Sequence, residues 1–71
     1  MTLSRLDSEQ HVRVIGISGG KSIRQKLALR GISEGENLRI ISNRGPVTVK
    51  VNGNTVTIGR GMASKVKVCR T

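Results

Sequence analysis

Apolar residues recur along this chain at two periods, and the change of period separates strands from helix. Val12-Arg13-Val14-Ile15-Gly16-Ile17 alternates for part of its length, and Leu38-Arg39-Ile40-Ile41 sets Leu38 and Ile40 on one face. Val47-Thr48-Val49-Lys50-Val51 and Thr55-Val56-Thr57-Ile58 alternate without interruption, as half-buried strands do. Val66-Lys67-Val68-Cys69 reads as a last strand with Val66 and Val68 inward. Between the first two strands the period lengthens. Ile23 and Leu27 lie four apart and share a helical face. Ser22 followed by Gln25 is a capping-box pattern, and Gly31 supplies the left-handed residue that ends a helix. A helix of so few turns is not stable alone and must pack on the strands. Met62-Ala63-Ser64-Lys65 predicts one further helical turn, and Leu3 and Leu6 are spaced for a helical turn or a packed arm.

The connections carry turn chemistry. Ser33-Glu34-Gly35-Glu36 reads as a turn. Asn43-Arg44-Gly45-Pro46 is a loop or bulge, with Pro46 confined to a strand start or edge because it lacks an N–H. Asn52-Gly53-Asn54 allows two hairpin registers. With Asn52-Gly53 as the turn, Val49 faces Val56; with Gly53-Asn54, Val51 does. Both keep the same residues on the apolar face, and Asn-Gly is the stronger turn signal. The sum is an all-β domain over residues 1–71. It is a small barrel of five strands, with a short helix inserted after strand one and a helical turn before the last strand. Barrel closure is the best way for so small a sheet to remove its edges.

Composition narrows the chemistry. A chain of 71 residues buries only about 60 % of its unfolded surface, which leaves little room for a deep catalytic pocket. The chain has no Phe, Tyr or Trp, which excludes the aromatic base-stacking typical of single-strand binders. The formal charge of +9 and pI near 11.6 raise the alternative of a basic barrel binding nucleic acid through phosphate contacts. The Lys and Arg residues, however, are spread along the chain with no block of five or six. The lone Cys69 fits a reducing compartment, and neither Cys69 nor His11 has partners at zinc-ligand spacing. Residues Met1 to Asp7 lack the apolar core of a secretion signal, and no segment has the length of a membrane span. A cytoplasmic location is expected.

Gly16 to Ser22 reads G-x-x-x-G-K-S on a strand–loop–helix path. A nucleotide-binding phosphate loop needs one more residue between its glycines, and Ile15 stands where the first glycine should be. None of Asp7, Glu9, Glu34 and Glu36 follows an apolar strand to hold a metal. The stretch reads instead as a glycine turn into a capped helix. No carboxylate pair shares a strand face for acid–base work, so no catalytic residue is expected. No ligand set is preformed for a transition metal, so neither a metal site nor a cofactor is expected. Single residues take structural readings: Cys69 a small core residue, Met62 a core filler, His11 a solvated turn residue at the entrance to the first strand.

Four motifs, in order, resemble the FeoA family over essentially the whole chain. Gly16-Ile17-Ser18-Gly19-Gly20 is similar to the family's G-I-x-G-G turn, and Leu27 to Ile32 to its L-x-x-x-G-[LI] helix end. Gly45 to Gly53 follows the G-P-[VI]-x-[VI]-x-[VI]-x-G hairpin, and Gly59 to Val66 the G-R-G-M-A-x-K-[VI] ending. The resemblance implies an SH3-like barrel akin to the C-terminal barrels of iron-dependent repressors, here without a DNA-reading helix pair. It implies a place in ferrous iron transport as a non-enzymatic adaptor or regulator. The implied partner is the FeoB membrane permease, with its cytoplasmic GTP-binding domain; iron is met only through that partner. The sequence departs from the family at Glu34, where Pro is usual, and at Leu29, often polar in relatives. Leu29 lies about a third of a turn off the Ile23–Leu27 stripe, among Arg24, Lys26 and Arg30. These four residues are the candidate partner interface: an apolar anchor ringed by cations.

Overall fold

The computed structural model describes residues Met1–Thr71. Strands β1 (His11–Ile17), β2 (Asn37–Ser42), β3 (Val47–Val51), β4 (Asn54–Ile58) and β5 (Val66–Arg70) form one antiparallel sheet in the order β4-β3-β2-β1-β5. Helix α1 (Gly20–Ala28) follows β1, and the single turn α2 (Arg60–Ala63) precedes β5. The N-terminal arm makes a 3-10 turn over Leu3–Arg5.

The sheet curls because its central strands are bulged. β1 pairs with β2 through His11–Arg13 and with β5 from Val12 to Ile17, and the second register slips between Val14 and Gly16. Ile15 is the extra residue, which is why the alternation of β1 fails there and why Ile15 is exposed. β2 slips likewise against β3 between Ile40 and Ser42. Such bulges bend a strand and sharpen its twist. Inward rows from all five strands then meet in one cluster of fifteen buried residues, all apolar, so no ionisable side chain lies inside it. β4 and β5 stay unpaired with each other. Leu3 and Leu6 from the arm, Leu27 of α1, Ile32 behind it and Ala63 of α2 complete the cluster. The arm, spaced for a turn or a packed segment, is thus part of the core.

The hairpin register is settled by backbone handedness. Val49 faces Val56 and Val47 faces Ile58, with Asn52 and Gly53 as the turn. Their φ values, 50° and 80°, are both positive, as a type I′ turn requires.

The two ends of α1 differ in how well the sequence anticipates them. At the C-terminal end Gly31 has φ +83°. Its N–H bonds Ala28 C=O at 2.9 Å, and Ile32 N–H bonds Leu27 C=O at 2.9 Å. This is a Schellman motif, and its customary apolar contact is met by the buried Ile32 and Leu27. At the other end the capping box does not form. Gly19, in a left-handed conformation at φ +102°, is the N-cap, and no side chain caps the helix. Ser22 lies inside the helix instead, because the glycine turn starts the helix earlier. Helix α2 likewise begins at Arg60 rather than Met62.

Cys69 corrects another expectation: it is exposed. With Val66 and Val68 buried, strand period two sends Cys69 to the outer face. Met62 is partly buried against the core, and His11 opens β1 exposed.

Candidate partner interface

Helix α1 turns Leu27 wholly into the core and Ile23 partly so. The rest of its surface is outside. Leu29, one residue past the helix, is 88 % exposed, the most open of the three large exposed apolar side chains. Gln25, Ala28 and Leu29 line one shallow depression. The position of Leu29 follows from the Schellman end, which aims Leu27 and Ile32 inward and leaves the intervening residues outside.

All three predicted cations, Arg24, Lys26 and Arg30, are exposed, but they are not equivalent. Arg24 is ion-paired with Glu34, in the turn after the helix. Both side chains are about half exposed, so the pair contributes at most about 1 kcal/mol. Arg30 donates from Nη1 to the Thr57 carbonyl at 3.2 Å, at the outer edge of β4. Lys26 alone makes no ion pair and no hydrogen bond through its side chain. Arg24, Lys26, Leu29 and Arg30 are thus all exposed, but the cations diverge: Arg24 is held toward Glu34 and Arg30 toward Thr57, and the depression beside Leu29 is lined by Gln25 and Ala28. Glu34 explains one departure noted above: a Pro at that position could not pair with Arg24.

Arg60 is a residue whose role sequence reasoning missed. Its Nη1 donates to Asn43 Oδ1 at 2.7 Å, Asn43 C=O at 3.2 Å and Gly45 C=O at 3.1 Å, and its Nη2 to Ser4 C=O at 3.0 Å. Asn43 Nδ2 reinforces this by donating to Ser4 C=O at 3.1 Å. One planar guanidinium thus ties α2, the β2–β3 loop and the N-terminal arm, using the fork geometry that lysine lacks. Arg60 was visible inside a motif, but nothing in linear spacing shows that Ser4, fifty-six residues away, is its acceptor.

The G-x-x-x-G-K-S stretch does not form a ring of amides. Gly16 is paired within β1, and Ser18 gives both its N–H (2.9 Å) and its hydroxyl (3.3 Å) to the Lys65 carbonyl. No three His, Cys, Asp or Glu side chains come together, and no helix is long and apolar enough to cross a membrane.

A small basic barrel of SH3-like topology, with one inserted helix ending at an exposed leucine, is the class of protein these features define. The FeoA domain family matches residues 1–70. A Methanocaldococcus jannaschii protein that carries the name Fe(2+) transport protein A is 38 % identical over 60 residues, covering 83 % of this chain and 73 % of that protein. The crystal structure of an iron uptake regulatory protein (FeoA) superposes with TM-score 0.95 at 31 % identity, covering 100 % of this chain and 96 % of that one. The fold is shared by T. acidophilum IdeR, with TM-score 0.92 and 25 % identity; the match covers 100 % of this chain but 34 % of that protein. The chain belongs to the FeoA family, whose members are associated with ferrous iron transport.

Proposed function

We propose that this protein is a non-enzymatic cytoplasmic adaptor of ferrous iron uptake. It docks on the cytoplasmic part of a FeoB-type permease through the exposed face of α1. The single observation that supports this reading is Leu29: 88 % exposed, beside Gln25 and Ala28, in a chain whose core is complete without it. An apolar side chain that fills a partner's pocket, ringed by neighbours that exclude water, can anchor an interface. Lys26 and Arg30, which have no carboxylate partner, leave net positive charge on this helix, which favours an acidic partner surface and speeds encounter. Membership of a ferrous iron transport family supplies the pathway.

Titration of the purified permease cytoplasmic domain with wild type, Leu29→Ala and Leu29→Glu tests the proposal. Leu29→Ala should weaken binding by about 1–2 kcal/mol if the side chain fills a pocket, and Leu29→Glu by more. Unchanged affinity for both variants would remove α1 as the docking face.

A further inference from the structure

A second cationic feature lies on the outer face of the sheet, away from the core that α1 covers. His11 of β1 sits directly opposite Arg39 of β2, and Arg39 directly opposite Lys50 of β3. All three alternate with buried neighbours and so face outward together: Val12 beside His11, Leu38 and Ile40 around Arg39, Val49 and Val51 around Lys50. Directly opposed side chains on adjacent strands stand about 5 Å apart at Cβ, and like charges so placed repel. The two cations Arg39 and Lys50 share no carboxylate, because the one ion pair in the molecule is Arg24–Glu34.

Arg39 adds an independent sign. Its Nε is buried and has no hydrogen-bond partner, an uncommon state for a charged donor. Arg39 and Lys50, with His11, Asn37, Leu38, Asn52 and Gly53, line a groove of about 300 Å³ that contains no carboxylate. Glu36, at its rim, accepts from Asn52 Nδ2 at 3.0 Å.

We propose that this groove binds a phosphate-type oxyanion, with Arg39 and Lys50 as its charge partners and His11 as a flanking donor. A planar guanidinium and a compact ammonium side by side match a dianion that has several acceptor oxygens. The groove exceeds the size of the phosphate itself, so the anion can be free phosphate, a soluble phosphoryl compound or a lipid headgroup. A bound dianion would also relieve the repulsion along the row. The proposal does not depend on α1 docking, since the two sites share no residue.

The test uses the intact chain and four proteins: wild type, Arg39→Gln, Lys50→Gln and, as a charge control outside the groove, Lys65→Gln. Thermal unfolding is followed against inorganic phosphate and pyrophosphate, with chloride holding ionic strength constant. Vesicles of phosphatidylcholine with and without phosphatidic acid are titrated in parallel. Wild type and Lys65→Gln should be stabilised saturably by the soluble anions, or should bind the phosphatidic acid vesicles. Arg39→Gln and Lys50→Gln should need about tenfold more ligand for the same effect. Response to soluble anions assigns the site to free phosphoryl groups, and response to vesicles alone assigns it to a headgroup. Lys50 is exposed, so Lys50→Gln should fold, and without ligand it should melt no lower than wild type because a like-charge contact is gone. An equal loss in Lys65→Gln would show diffuse charge attraction and overturn the site, as would no response to either probe.

Discussion

Replacing Gly31 by valine isolates the energetic content of the helix end. At φ +83° the residue lies in the left-handed region, where a Cβ is penalised and a branched one most of all. A Cβ built there would meet Val51 Cγ1 at 3.6 Å and Cγ2 at 3.9 Å, ordinary contact distances. A Cβ therefore fits, and the cost it carries is conformational, about 1–2 kcal/mol for a left-handed L-residue; the two Cγ atoms of valine add to it where they press on Val51. Relaxing the backbone instead would break the bonds to Leu27 and Ala28 and withdraw Ile32 from Leu27, so the protein has no cheaper route. For a domain of this size, about 1.5 kcal/mol corresponds to a fall in Tm of roughly 6–12 °C. Far-UV circular dichroism is the suitable probe, since the chain lacks aromatic fluorophores. Gly31→Asn serves as a control, because asparagine tolerates the left-handed region far better than valine. Equal Tm for Gly31→Val and wild type, or equal losses for the Asn and Val variants, would refute the assignment of the cost to backbone handedness.

Other outcomes follow from the same structure. Arg60→Ala should destabilise by about 1–2 kcal/mol, since its acceptors lie in exposed, partly hydrated loops, and Arg60→Lys should recover little of this; full recovery by lysine in a denaturant titration would show that charge, not the fork, matters. Leu29→Ala should change folding stability by no more than about 0.5 kcal/mol, as a substitution on an open surface, measured in the same melts that accompany the binding titration. Cys69 should react with a thiol reagent in the native protein at close to the rate of an unfolded control, and strong protection would return it to the interior.

What could be read from the chain beforehand was whatever depends on local period and turn chemistry. The strands, the helix stop at Gly31 and the exposure of Leu29 all follow from spacing. The hairpin register needed the handedness of Asn52 and Gly53, which the residue pair favours but the apolar pattern does not decide. The capping box failed because two glycines with positive φ, Gly19 and Gly20, start the helix before Ser22 is reached. Cys69 was misplaced by weighing residue type over strand phase, although its inward neighbours had already fixed that phase. The partners of Arg24, Arg30 and Arg60 lie ten to fifty-six residues away. No linear rule joins them, and only the folded chain does. The groove around Arg39 was hidden for the same reason, because its residues come from three strands whose mutual register no single segment encodes.

The position of β1 between β2 and β5 has a consequence for biosynthesis. β2, β3 and β4 are neighbours both in sequence and in space, so they can pair as a local meander as soon as they are made. Val14 exchanges bonds with Gly35 and Glu36 just before β2, but Gly16 and Ile17 find their sheet partners only in Lys67 and Val66. The arm is bonded at Ser4 by Arg60 and at Met1 by Val68 N–H. Synthesis runs from the N-terminus, and pairing across such a span must first meet the entropy of closing a long loop. The arm and the end of β1 therefore complete their backbone bonding only after the last strand is made, although Asn43 can already hold the arm at Ser4.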